Sequence, residues 1–154
     1  MSSSLSLLLS QSVSALIQEL DQLSCIFSEY LNQPSNMLSF QTKEAKRYAS
    51  EYYFITSRLS ATLENSDQAG LRISRIIVRA DEEILPHLVQ TGDTVLCAYQ
   101  DLRVHINELL QQGDHYIKTE SEAFSPTTLY SIIRSMNQQV CATKAILQAI
   151  LSEL

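Results

Sequence analysis

The residues most able to do chemistry in this chain are carboxylates, histidines and cysteines that recur at helical spacing. Glu83 stands four positions before His87, with Glu82 beside it. Di-iron bundles gather Glu-x-x-His pairs and further glutamates from several helices around a buried centre. Here the spacing is Glu-x-x-x-His, Pro86 falls between the two residues, and no second copy of the pair follows. Cys97, Asp101, His105 and Glu108 lie along one side of a helical wheel, and cysteine, histidine and aspartate are natural zinc ligands. Ligands on three successive turns of a straight helix rarely converge, because an i+8 residue lies about 12 Å along the axis. The pattern therefore reads as a partly exposed polar margin with Cys97 tucked in. The same separation weakens Cys97 and His105 as a nucleophile–base pair, and nothing nearby suggests an oxyanion donor. His115 sits near an expected turn with no ligand partner. No catalytic, cofactor-binding or metal-ligating residue is assigned, no cofactor is expected, and a small-molecule ligand is disfavoured.

Charge and aromatic placement point instead to contacts. Arg72, Arg75 and Arg79 fall on one helix face, away from the apolar stripe of the same segment. Such a row could dock phosphates, an acidic helix or an acidic lipid surface, although Asp81, Glu82 and Glu83 follow at once and Arg79–Glu83 is a plausible i,i+4 pair, as on an ordinary solvated face. A second basic group, Lys43, Lys46 and Arg47, is interleaved with Glu44 and Glu51. Tyr48 and Tyr52 belong to a core stripe, whereas Tyr53 and Phe54 lie to its side, where exposure would mark an interface. The candidate interface is therefore Arg72, Arg75, Arg79, Tyr53 and Phe54.

The elements that carry these residues read as helices. Glycine and proline are scarce, three of each in 154 residues, so long helical tracts are permitted. Leu9, Val13, Leu16, Leu20, Leu23, Phe27 and Tyr30 alternate spacings of four and three, a heptad-like seam. Leu5, Ile17, Ile26 and Leu31 widen it, Ser2 to Ser4 offer a cap, and Asn32 to Asn36 around Pro34 should end it. A second segment runs from about Phe40 to Glu64, with Thr42 as a cap and Ala45, Tyr48, Tyr52, Ile55 and Leu59 as its stripe. A third follows Asn65 and Ser66, lined by Ile73, Ile76, Ile77, Ala80, Ile84 and Leu88. Pro86 should kink or end it near Leu85. Gly92 with Asp93 reads as a break before a fourth segment, Thr94 to Gln112, striped by Val95, Ala98, Tyr99, Leu102, Ile106 and Leu109. Gly113 and Asp114 should close it, leaving His115 to Phe124 as linker or short helix. Ser125-Pro126 is a good helix start, and Leu129, Ile133, Met136, Val140, Thr143, Leu147, Ile150 and Leu154 repeat the heptad spacing.

These readings define an all-α chain: an up-and-down bundle of four to five long amphipathic helices, the third kinked or ended at Pro86, forming one domain over 1–154. The net charge of −6 and pI near 5.0 argue against nucleic acid as a partner. No apolar stretch is long enough for a transmembrane segment. Cys25, Cys97 and Cys141 are odd in number and widely spaced. They suggest small buried thiols in a reducing, cytoplasmic setting rather than a disulfide framework. Apolar seams wider than one small core needs (Leu7, Leu8, Ile132, Ile146 and Leu151 beside the heptads) imply binding. The expected function is a non-enzymatic interaction or assembly subunit, an adaptor or structural component that meets a protein partner or itself. The alternative is a small helical enzyme or ligand carrier with a polar pocket built from Cys97, His105 and Tyr99 facing Tyr52 or Tyr130.

Overall fold

A computed structural model describes residues 2–32, 42–119 and 126–154, with side chains at 4–32, 50–119 and 127–154. The described residues form four helices, α1 (Ser2–Leu31), α2 (Thr42–Glu82), α3 (Pro86–Thr119) and α4 (Pro126–Ser152). The seam of α1 is buried along its whole length: Leu9, Val13, Leu16, Leu20, Leu23, Phe27 and Tyr30 are all fully inaccessible. Ile73, Leu102, Ile106, Leu129, Ile133, Met136 and Val140 meet it from the other helices in one continuous core. The 3.6-residue periodicity therefore places the apolar stripe of every helix against its neighbours.

Each helix packs chiefly on its two neighbours in chain order, and α1 closes the ring against α4. Directions follow from side-chain pairs. Ser24 donates to Asn137, and Lys144 donates to Asp21, so α1 and α4 run antiparallel. Asp67 bonds Tyr99 and Arg103, whereas Ile73 and Ile77 lie against Gly92, so α2 and α3 run antiparallel. Antiparallel neighbours joined in sequence order make an up-and-down bundle.

The helices are fewer and longer than local signals suggest. Asn65 and Ser66 do not interrupt α2, which is continuous over 41 residues. Ser66 is fully buried, and its hydroxyl donates to the Thr62 carbonyl at 2.7 Å, so a residue typical of caps is satisfied within the helix. Nor do Gly92 and Gly113 break α3. Both are buried, with Ile77 against Gly92 and Tyr52 against Gly113. Close packing at these points outweighs the roughly 1 kcal/mol helix penalty of glycine. As a result His115 to Thr119 are helical, and the four-to-five-helix expectation resolves to four.

The break near Leu85 is real, and it separates α2 from α3. The Leu85 amide donates to the Ala80 carbonyl and the Ile84 amide to the Asp81 carbonyl. Those two bonds are a Schellman cap. Ile84 occupies its left-handed position at φ 56° and is 83% exposed, so it leaves the core stripe assigned to it by periodicity. Pro86 opens α3, where its missing amide costs nothing. The start and cap assigned to Phe40 and Thr42, the stripe residues Ala45 and Tyr48, the basic group Lys43, Lys46 and Arg47, the Pro34 stop and the Ser125 cap all lie outside the described side chains.

Candidate interaction surface

The five interface residues all belong to α2, but they form two patches. Phe54 and Arg72 share one helical azimuth and are about 27 Å apart along the axis. Phe54 is 65% exposed, and the Arg58 guanidinium lies 5.9 Å from its ring centroid. Arg58 also pairs with Glu29 on α1 at 2.6 Å. Tyr53 is 38% exposed, edge-on to the fully buried Tyr52 with ring centroids 5.9 Å apart. The ring of Phe54 is thus held in solvent beside a cation–π partner.

Arg72, Arg75 and Arg79 are exposed, and none makes an ion pair among the described residues. The Arg79–Glu83 pair does not form. Glu83 lies in the turn after α2, and its amide donates to the Arg79 carbonyl instead. Two apolar residues missing from the sequence-derived set stand within this basic row: Leu71, 50% exposed, and Val78, 56% exposed. Their heptad spacing was the available signal. What the sequence lacked was the register of α3 against α2, which decides whether such a row is covered.

That register is set by close approaches. A methyl at Gly70 would stand 3.9 Å from Leu96, and one at Gly92 would stand 2.5 Å from Ile77. Leu71 is therefore level with Leu96, and Val78 with Val89. Leu96 and Val89 are half-buried, and the strip continues to Ile84 at the turn. A shallow groove of about 730 Å³ runs along the outer side of α3 from this turn, lined by Ile84, Leu85, Pro86 and Val89 and rimmed by Asp81 and Asp93. Further along the hairpin, Asp67 accepts from Tyr99 and from both Nε and Nη2 of Arg103, each guanidinium bond at 3.0 Å. Burial would raise the Asp67 pKa, but the bonds from Arg103 and Tyr99 win and hold it below the ordinary value. Burial, and then the bond to Asp67, push the Tyr99 phenol upward.

The residues considered for chemistry do not converge. Cys97 and His105 are exposed on the outer face of α3, and the His105 Nδ1 lies 2.8 Å from the Asp101 carbonyl of its own helix. Tyr99 is buried and turns to Asp67, away from the exposed Cys97 and His105. His87 is exposed in the first turn of α3 and His115 in its last turns. No three His, Cys, Asp or Glu side chains among the described residues are grouped so as to hold a metal ion. The cysteines correct the expectation of buried thiols: Cys25, Cys97 and Cys141 are all free and exposed, because they flank the seams rather than fill them. Cys141 lies 3.7 Å from the Ser24 hydroxyl on the outer margin of the α1–α4 seam. No helix among the described residues is long and apolar enough to cross a membrane. Compared with known protein families, curated proteins and solved structures, the chain matches none.

Proposed function

We propose that this chain is a non-enzymatic interaction or assembly subunit, and that the outer face of α2 is its contact surface. One observation carries the reading. Phe54, Leu71 and Val78 are at least half exposed along a single helix that also presents Arg72, Arg75 and Arg79 without ion-pair partners among the described residues. Apolar side chains grouped with arginine are the usual composition of a binding patch. The partner is a protein, since the net charge of −6 disfavours the phosphate backbone of a nucleic acid. A reducing, cytoplasmic setting suits three free, exposed thiols.

Photo-crosslinking in the cell of origin tests this. A photoreactive side chain replacing Phe54 should give discrete protein adducts, while the same group at the exposed Gln148 on α4 should give none. Equal labelling at the two positions, or none at Phe54 and Leu71, would remove the basis for the reading.

A further inference from the structure

We infer that the α2–α3 hairpin is a self-recognition surface, on which two copies of this chain pair face to face about a two-fold axis parallel to the groove between the helices. The inference deepens the interaction reading above and rests on it. Three observations carry it.

The first is the apolar strip. Leu71 and Leu96, then Val78 and Val89, stand level across the α2–α3 groove, and Ile84 ends the strip at the turn. The α2 members and Ile84 are each at least half exposed. The second is the backbone at Ile84. A β-branched residue in the left-handed region is disfavoured, and the C′ position of a Schellman cap ordinarily takes glycine or asparagine. Ile84 holds φ 56° while burying almost nothing within the chain, at 83% exposure. Its side chain contributes nothing to the fold that glycine would lose, so contact outside the chain is the use left for it.

The third observation selects the occupant. Over the stretch from Leu71 to Val78 the two flanks of the strip carry opposite charge; Asp81 stands beyond it, on the rim at the turn. Arg72, Arg75 and Arg79 lie on the α2 flank, and Asp93, on the groove rim, lies on the α3 flank. Neither Arg75 nor Asp93 makes an ion pair among the described residues. Because Ile77 packs on Gly92, Arg75 and Asp93 stand at nearly the same level of the hairpin. Rotation about an axis along the groove lays α2 of one copy over α3 of the other without shifting that level. Arg75 of each copy then meets Asp93 of its mate twice over, and the apolar strip meets itself. A partner able to match this face needs a basic flank, an apolar strip and an acidic flank in that order, and the chain itself supplies all three. Self-complementarity of this kind is what a closed two-fold interface requires.

Sedimentation equilibrium over a wide concentration range is the test. The wild-type chain should pass from monomer to dimer mass. Arg75→Asp and Asp93→Arg should each weaken association by at least about tenfold through like-charge contacts. An equimolar mixture of those two variants should associate again, because each heterodimer contact then pairs one acid with one base. Ile84→Gly should weaken association by about tenfold while raising the thermal midpoint of the dilute monomer, which separates loss of contact from loss of fold. A wild-type chain that stays monomeric at every concentration would overturn the pairing. So would single variants that associate like wild type, or a mixture that remains monomeric. Discrete adducts at Phe54 alongside a strictly monomeric wild type would overturn this pairing and leave the broader interaction reading standing; absence of adducts at Phe54 and Leu71 would remove both.

Discussion

Gly70, Gly92 and Gly113 all lie inside helices, yet an added methyl would fit at Gly70 and clash at Gly92 and Gly113. At Gly70 the nearest atoms, on Tyr99, would stand at 3.7 Å, an ordinary contact. Gly70→Ala should therefore keep the helix-propensity gain and stabilise the protein by about 0.5–1 kcal/mol. At Gly113 the methyl would collide with the phenol of the fully buried Tyr52, which has little room to move. Overpacking of this kind costs about 1–3 kcal/mol, so Gly113→Ala should destabilise despite its better propensity. Urea titration of both variants checks the contrast, and a Gly113→Ala midpoint at or above wild type would contradict the packing. Tyr52 gives a second test. Burial, then the charge of Asp114, raise its pKa above the ordinary phenol value. Its contribution to stability is complete below pH of about 10, where the unfolded phenol ionises, and is lost as pH rises through the folded value. Tyr52→Phe should flatten the alkaline loss of stability and leave pH 7 stability nearly unchanged, because the buried hydroxyl has no hydrogen-bond partner among the described residues. Midpoints measured on both sides of pH 10 would show whether the slope survives the substitution.

At the scale of elements, α2 and α3 are joined by both apolar contact and the Asp67–Tyr99–Arg103 network. Charge-assisted bonds are ordinarily worth more than neutral ones. The Asp67 side chain is 43% exposed, however, so solvent screens it and Asp67→Asn should cost only about 1 kcal/mol. The sign of its pH dependence is fixed by a folded pKa below the unfolded one. The stabilisation is present above the ordinary carboxylate value and is lost as pH falls through the folded pKa. Acid titration should thus narrow the gap between wild type and Asp67→Asn below pH of about 4, and a gap constant from neutral to acid pH would refute the assignment. Helix faces were legible in the sequence because burial follows periodicity, as the seven seam residues from Leu9 to Tyr30 show. Helix ends inside α2 and α3 were not. Ser66, Gly92 and Gly113 carry local break signals, and what overrides them is contact with residues distant in sequence, Ile77 and Tyr52 among them. The arginine row was legible for the same reason as the seams, since Arg72, Arg75 and Arg79 oppose the stripe of Ile73, Ile76 and Ala80. The strip beside it was not, because Leu71 and Val78 acquire their neighbours only through the pairing of α2 with α3. Ile84 was misplaced because a stripe drawn across the turn assumes helical geometry where the chain leaves it.

At the scale of the molecule, α1 links the elements most broadly, since it packs on both α2 and α4 and its seam is wholly enclosed. Leu20 is fully inaccessible within that seam. A carboxylate placed there would lose its hydration without gaining a partner, at a cost of several kcal/mol. Domain stabilities are ordinarily about 5–15 kcal/mol, so Leu20→Asp should remove most of the far-ultraviolet helical signal. His105→Ala, on the outer face of α3, should retain it. The same enclosure predicts how the wild type comes apart. The buried tyrosines lie on three helices, Tyr30 on α1, Tyr52 on α2 and Tyr99 on α3, while circular dichroism reports on all four. If one core holds them, tyrosine fluorescence and circular dichroism should trace a single urea transition with the same midpoint. Two separated midpoints would mean that the α2–α3 hairpin holds together without α1, and the face proposed for self-recognition would then belong to an independent unit.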